Sequence, residues 1–341
     1  MLQPSYRKPE FKVAMWGNAS GSKYWRLMDP ASYLRHRDIE AEVIEDGGIT
    51  EQIALLADMY VLNSCVDKKG IALLHAYQKE RDKKLIVDVD DLMDVDEDSP
   101  FKPEHDVTNA SEVLRVVISI ADLVTTTTPY LEKRLRKLNK NVTVLPNYPD
   151  LRRWDLPKSK NTSDTIRIGW AGSITHLKDL ELIVNPLKRI CKEFPQVRLL
   201  FIGESRIASR FEGLPVEYIP GVPFEVWPAK LHSLRLDIGL APLLDNEFNR
   251  CKSRIKFYEY AIAEIPGIYS PTVYQERGFD GEFGMIAENE DQWYQSIKNY
   301  ILFPELRQDV IRAAYAYVTR RCSLEKHIGL WEESYRNLTL T

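Results

Sequence analysis

Ile166–Lys178 reads IRIGWAGSITHLK. It is a short apolar strand that runs into Gly172, followed by a turn carrying Ser173 and Thr175 and then a helical pattern over Leu177–Phe194. A strand that stops at a glycine and hands over to a helix is the building unit of a parallel α/β sheet. The same unit opens the chain, where Phe11–Gly17 (FKVAMWG) leads through Asn18–Lys23 to a helical stretch at Tyr24–Arg37.

Working outward from these two units, the alternation continues on both sides. In the first half, strands are expected at Ala41–Ile44, Met59–Asn63, Lys84–Asp88, Leu123–Thr127 and Val142–Leu145, with helices near Glu51–Ala57 and Lys69–Arg81 and at Ser111–Ile120 and Tyr130–Leu138. In the second half, strands follow at Val197–Ile202, Val216–Tyr218, Ile238–Ala241, Ile268–Ser270 and Met285–Ala287, with helices at Phe224–Leu234, Ser253–Ala263 and Asp291–Ile301. Pro186 inside Leu177–Phe194 predicts a kink or two shorter pieces. The tail from Pro304 to Leu338 reads as helix throughout. Strands alternating with helices predict an α/β class of two tandem doubly wound, Rossmann-like domains facing a central cleft.

The run PNYPDLRRWDLPKSKNTSDT, from Pro146 to Thr165, is rich in Pro, Asn, Asp, Ser and Lys and reads as an exposed connection. It sets the domains at 1–150 and 166–310, with a linker over 151–165 and C-terminal helices over 311–341 that pack back toward the first domain. The 341 residues suit about two domains. With 46 Lys and Arg against 50 Asp and Glu, the net charge of −4 lacks the basic excess that makes nucleic acid a default partner. The longest apolar stretch, Val113–Val124, is broken by Arg115 and Asp122 and is too short to span a bilayer. Charges at Arg7, Lys8, Glu10 and Lys12 interrupt any secretory leader. The four cysteines, Cys65, Cys191, Cys251 and Cys322, form no CxxC pair, so a reducing cytoplasm is the expected home.

Two places gather anion-binding chemistry. After Gly172, Ser173 and Thr175 stand where a helix N-cap is expected, His176 lies in the same loop, and Lys178 follows one turn on; a helix start with a lysine favours a phosphate. In RCKSRIKFYEYAIA, Arg250–Ala263, Ser253 is expected to open a second helix, with Lys252 and Arg254 beside it. Lys256 and Glu259 share one helical face at i and i+3. Their plain reading is a surface ion pair. The apolar residues around Glu259 argue instead for a buried acid in need of partners, which ribose hydroxyls would supply.

The set GSITHLKDLELI, RLLFIGE, LDIGLAPL and NRCKSRIKFYEYAIAEIPGIYS resembles the nucleotide-binding half of the GT-B glycosyltransferases, in particular the retaining group called family 4. The resemblance implies that Gly172, Ser173, His176, Lys178, Lys252, Ser253, Lys256 and Glu259 hold the diphosphate and ribose of a nucleotide-sugar. Glu259 matches the final Glu of the family's E-x7-E pattern. Cys251 stands at the place of the first Glu, which usually touches the sugar, and Ser173 at a position where many members have Arg. In the first half, SGSKYWRLMDPASYL resembles the glycine-bearing loop and helix that approach the acceptor, which implies acceptor-side roles for Gly21, Tyr24 and Arg26. LIVDVDDLMD resembles an acidic strand end of some members, and makes Asp90 and Asp91 the candidate catalytic acids that orient or deprotonate an acceptor hydroxyl.

The pattern of Asp88, Asp90 and Asp91 also resembles the nucleophile motif of haloacid-dehalogenase phosphatases, but Leu92 stands where that motif wants Thr or Val. A third reading has these acids only capping the next turn. No histidine pair has metal-ligand spacing, so no metal and no cofactor beyond the donor substrate are expected. The function implied is a retaining hexosyltransferase using a nucleotide-diphosphate sugar. A glycan hydroxyl is the first expected acceptor; a hydroxymethylated DNA base is a lesser one, prompted by Lys133, Arg134, Arg136, Lys137, Lys140, Arg152 and Arg153. A sugar-nucleotide epimerase of the same fold and a non-catalytic sugar-nucleotide or glycan-binding protein are the alternatives.

Overall fold

The computed structural model describes residues 10–17, 21–44, 56–63, 74, 82–92, 110–157, 159–203, 210–275 and 278–340. The chain divides into two compact units: Met1–Pro149 with Cys251–Ser253 and Leu324–Thr341, and Asp150–Arg250 with Arg254–Ser323. The helices expected near Glu51–Ala57 and Lys69–Arg81 lie largely outside the described residues.

The first unit is built on β1 (Phe11–Gly17), β2 (Ile39–Val43), β3 (Met59–Asn63), β4 (Lys84–Val89), β5 (Leu123–Thr126) and β6 (Val142–Val144), in the order β2-β1-β3-β4-β5-β6. Every neighbouring pair is parallel. All five residues of β3 are buried, as expected of a strand covered on both faces. The register aligns Gly17 with Asn63, Asn63 with Asp88, and Asp88 with Thr125, so one polar row crosses the carboxyl ends of four strands. Helix α1 (Ala110–Ile120) precedes β5 and α2 (Pro129–Leu135) follows it. Thr128 caps α2 by accepting from Leu131 N at 3.2 Å, with Pro129 in the first turn.

The second unit is built on β7 (Ile166–Gly172), β8 (Val197–Gly203), β9 (Val216–Pro220), β10 (Ile238–Ala241), β11 (Gly267–Tyr269) and β12 (Met285–Ile286), in the order β12-β11-β10-β7-β8-β9. Its pairs are parallel too. The order reverses between β7 and β10, and in such sheets the ligand crevice lies beyond the carboxyl ends at that switch. Its helices include α3 (Glu181–Glu193), α4 (Trp227–Leu234), α5 (Ile255–Ile262) and α6 (Pro304–Arg321). The end of β7 is kept open by Gly203 on β8: its φ is +116°, and a Cβ there would stand 2.1 Å from the Gly172 carbonyl oxygen.

Several sequence expectations need correction. Helix α3 runs as one element through Pro186, and the break falls before it, where Glu181, Leu182 and Ile183 donate to Lys178, Asp179 and Leu180 in a tighter turn. The stretch Tyr24–Arg37 is a π-helical turn at Tyr24–Met28, an α-helix at Asp29–Leu34 and a 3₁₀ turn at Arg35–Arg37. The tail is three helices, α6, Leu324–His327 and α7 (Gly329–Thr339). Only its last part, from Leu324, belongs to the first unit, where Leu324, Ile328, Trp331, Tyr335 and Leu338 join the core of Val13, Met15, Leu27 and Leu34. The expected linker at 151–165 carries a buried anchor: Trp154 is packed edge-on to His232, at 6.2 Å, within the second unit. No helix among the described residues is long and apolar enough to cross a membrane.

Candidate functional site

In the second unit, the loops at the switch point are tied together by Asp179, which is only 2% exposed. Its Oδ1 accepts from Leu244 N at 2.9 Å and Asn249 Nδ2 at 2.8 Å, and its Oδ2 lies 2.8 Å from His176 Nδ1. One carboxylate thus joins the loop after β7 to the segment after β10. A buried carboxylate needs such donors, because desolvation without them is costly. The His176 ring is set further by the edge of Trp170, at 6.4 Å and 79°. Asn249 Oδ1 is buried and accepts no hydrogen bond in the structure.

Ser173 and Thr175 do not cap a helix. Their hydroxyls lie 2.7 Å from one another in a short 3₁₀ turn, Ile174–His176, and α3 starts at Glu181 with no side-chain cap. Lys178 stands exposed in the turn that follows.

Helix α5 brings Lys256 and Glu259 together as the i, i+3 spacing requires, with Lys256 Nζ 2.8 Å from Glu259 Oε2. The pair is no surface bridge, since Glu259 is 2% exposed. Trp227, at the start of α4, donates its indole N–H to Glu259 Oε1 at 2.8 Å, and Lys256 Nζ sits 5.6 Å from the centre of the same indole. Glu259 therefore has partners from its own unit before any ligand arrives, which corrects the expectation that ribose alone supplies them. Two lone-pair positions on the carboxylate remain for hydroxyl donors. Helix α5 opens at Ile255, not Ser253; its N-cap residue, Arg254, gives no side-chain cap and donates instead to Val273 O at 3.0 Å. In its first turn the Phe257 N–H meets the Tyr274 hydroxyl, and the N–H groups of Ile255 and Lys256 have no partner within the helix, which suits an acceptor such as a phosphate oxygen.

Cys251–Ser253 belongs to the first unit, and hydrogen bonds at each of its residues help to fix it there. Thr128 Oγ1 donates to Cys251 O at 3.0 Å, Asn147 Nδ2 to Ser253 Oγ at 2.8 Å, and Lys252 Nζ to Asp91 Oδ2 at 3.2 Å. Lys252 is thus the counter-ion of Asp91 rather than a lone phosphate cation.

Arg26, expected to approach an acceptor, is 1% exposed. Its guanidinium grips Asp88 in two parallel bonds, Nε to Oδ1 at 2.9 Å and Nη2 to Oδ2 at 2.6 Å, and donates further to Asn147 Oδ1 and Leu145 O. Asn63 and Thr125, neighbours of Asp88 in the register, also donate to it, at 2.9 and 2.6 Å. Arg26 and Asp88 are consequently a structural centre. The π-helical turn at Tyr24–Met28 carries Arg26, with Tyr24 partly buried and Gly21 exposed just before it.

Beyond this centre lie the two candidate acids. Asn63 Nδ2 also reaches Asp90 Oδ1, at 3.3 Å. Burial first, and then repulsion from the Asp91 and Asp88 carboxylates, push the Asp90 carboxyl up to about 6, against the opposing pull of Arg26 and Asn63. Asp90 is therefore poised to exchange a proton near neutral pH, while Asp91 is held by Lys252. Of the basic set, Arg136 is committed to Glu132 and to the carbonyls of Lys140 and Val142, and Arg152 to Asp150.

Sequence reasoning missed Asp179, Asn249, Trp227 and Asn63. Asp179 follows Lys178 directly and was the one with a positional signal; the other three are recognised only through the partners they reach.

Comparison with solved structures finds the same architecture in Alr3699/HepE of Anabaena, in complex with UDP and glucose. That match has a TM-score of 0.68 and 12% identity, and covers 96% of this chain and 100% of that one. Sucrose-phosphate synthase of Thermosynechococcus elongatus matches with a TM-score of 0.66 and 11% identity over 96% and 99% of the two chains. A glycosyltransferase of Rickettsia africae matches with 0.65 and 14% identity over 98% and 100%. No protein-family model and no curated protein sequence matches the chain. The chain has the GT-B fold of these glycosyltransferases, two doubly wound α/β units in tandem.

Proposed function

We propose that this protein is a retaining glycosyltransferase that moves a hexose from a nucleotide-diphosphate sugar to a hydroxyl of a glycan. The second unit handles the donor. Glu259, held by Trp227 and Lys256, receives the ribose hydroxyls; the uncapped start of α5 and Lys178 receive the diphosphate. As the anomeric bond breaks, negative charge grows on the departing phosphate, and donors fixed in advance at that position favour it in the transition state. Cations and helix N–H groups offset that charge, so the reaction is expected to run without added metal. The first unit handles the acceptor, and Asp90, with its carboxyl pushed up to about 6, is suited to orient the acceptor hydroxyl and share its proton.

The observation that carries this reading is the buried Glu259 on α5, in a sheet whose strand order reverses between β7 and β10, with a helix start that no N-cap side chain covers one turn before it. The same fold in HepE accommodates UDP and glucose. A glycan is preferred over DNA because two cations of the basic set, Arg136 and Arg152, are already bound to acids of the chain.

The test is incubation with a panel of nucleotide-sugars, following nucleotide release with and without glycan acceptors. Acceptor-dependent release with the sugar's anomeric configuration kept supports the proposal. Conversion of the donor sugar with no acceptor present identifies an epimerase, and binding with no turnover a non-catalytic receptor; either outcome overturns it.

A further inference from the structure

Asn147 follows β6 in the run LPNYP and is only 4% exposed, and both ends of its side-chain amide are spent on groups more than a hundred positions away. Its Oδ1 accepts from Arg26 Nη1 at 3.0 Å, and its Nδ2 donates to Ser253 Oγ at 2.8 Å. Chemistry fixes the direction of this series. A guanidinium has five N–H groups and no lone pair to offer, so the amide must turn its oxygen to Arg26 and its nitrogen to Ser253. Arg26 cannot swing away, since its Nε and Nη2 grip Asp88 and its Nη1 donates also to Leu145 O.

Ser253 stands at the receiving end. A serine hydroxyl has one hydrogen to give and two lone pairs. The bond from Asn147 occupies a lone pair, and the hydroxyl donates to no acceptor among the described residues. It caps no helix either, because α5 opens at Ile255 with no side-chain cap. A partly buried serine is thus held as an acceptor on one side, with its hydrogen unspent, two residues ahead of a helix start. An anionic oxygen is the favoured taker of that hydrogen. Bonds to charged acceptors are about twice as strong as neutral ones, and bonds made in series in one direction polarise each other. The charge of Arg26 is itself met by Asp88, so what the series adds at Ser253 is orientation.

We infer that Ser253 donates its hydroxyl hydrogen to an oxygen of the donor's diphosphate, and that Asn147 is the positioning residue that turns this hydrogen outward. Both roles rest on the donor reading proposed above, in which the phosphates lie at the start of α5. They give the buried Arg26 centre a part in donor recognition that its distance along the sequence conceals.

The experiment is calorimetric titration of the full chain with UDP, GDP, ADP and dTDP, with thermal melting to check the fold of each variant. For the nucleotide that wild type binds most tightly, Ser253→Ala is expected to lose about tenfold in affinity, and Ser253→Thr, which keeps a hydroxyl, less than about threefold. Asn147→Asp keeps the shape and the bond from Arg26, but its second oxygen accepts, so the Ser253 hydrogen turns inward and affinity falls by about tenfold or more. In a Ser253→Ala background no hydroxyl is left to reverse, and the same change is expected to cost at least about threefold less than it does in wild type. A purely structural Asn147, or simple repulsion by the new carboxylate, gives equal cost in both backgrounds and overturns the inference. Undiminished binding by Ser253→Ala overturns it as well. If Asn147→Asp fails to fold, the contrast between Ser253→Ala and Ser253→Thr decides. Wild type that binds none of the four nucleotides overturns the donor reading and this role with it, an outcome distinct from nucleotide that binds and ignores Ser253.

Discussion

Asn249 donates its side-chain amide to Asp179 at 2.8 Å, across 70 positions of sequence, and the same carboxylate oxygen takes Leu244 N. The amide's own oxygen is left buried with no donor. An unmet buried acceptor costs free energy in the unliganded protein, so it is favoured that a ligand hydroxyl meets it.

Asp179→Ala should therefore act twice. Loss of the carboxylate leaves Leu244 N and Asn249 Nδ2 short of an acceptor, at a cost of about 1–3 kcal/mol in stability. It also releases His176 and the loop after β7, which should weaken nucleoside diphosphate binding. Chemical denaturation and calorimetry read the two effects separately. A variant of unchanged stability and unchanged affinity shows that the network positions nothing.

The Trp227 indole and Glu259 form the second testable pair, 2.8 Å apart and both buried. Trp227→Phe removes the donor while keeping an aromatic ring for Lys256. It should lower nucleotide affinity less than Glu259→Ala, which removes the carboxylate that ribose needs. Glu259→Ala also strands the indole N–H, so a loss of about 1–3 kcal/mol in stability is expected beside the loss in binding. Equal affinity in Glu259→Ala and wild type would remove this residue from the donor site.

The inner strands were legible because they are buried on two faces, which writes them as compact apolar runs such as FKVAMWG or MYVLN. What the sequence did not show follows from register and reach. Asn63, Asp88 and Thr125 meet Arg26 only because parallel pairing sets them in one row, and no local pattern at Arg26 distinguishes a buried arginine from one that greets an acceptor. Ser253 looked like a helix cap by type and position. It was instead claimed by Asn147, 106 residues earlier, and the helix began two residues later. Glu259 was legible as a buried acid on α5, whereas its partner Trp227 lies 32 residues away on another helix.

Removing Arg26 is expected to cost stability rather than acceptor selectivity. Breaking a buried ion pair by deleting one partner costs about 3–5 kcal/mol, since the other charge is left without compensation. Arg26→Leu should thus unfold at markedly lower denaturant than wild type, while the pair variant Arg26→Leu, Asp88→Asn recovers part of the loss. Full stability in Arg26→Leu would return this residue to an acceptor-side role.

Metal removal is a further check on the donor chemistry. With Lys178 and the start of α5 as the phosphate's partners, EDTA-treated protein should keep its transfer rate within about twofold. Loss of activity on chelation, restored by Mg²⁺ or Mn²⁺, would show that the developing charge is met by an ion, and would direct attention to the Asp90 and Asp91 carboxylates.

Asp90 supplies a pH dependence in both activity and stability. Its carboxyl is pushed up to about 6, by burial and by the charges of Asp91 and Asp88, from an unfolded-state value near 3.8. Between those values the folded protein holds a proton that the unfolded chain releases, so this group's contribution to stability falls as pH rises from about 4 to about 6 and is flat above. Asp90→Asn, which is neutral at every pH, should be more stable than wild type at pH 7 and no more stable at pH 4. In the transfer reaction the ionised form is the one that takes a proton from an acceptor hydroxyl, so the rate should climb with pH through about 6. The same substitution should flatten that limb and lower the rate at pH 7. Thermal melts across pH, set beside pH profiles of initial rate for both proteins, read the two consequences together. If Asp90→Asn shifts the stability profile and leaves the rate profile unchanged, the acid is structural and acceptor activation falls to another group.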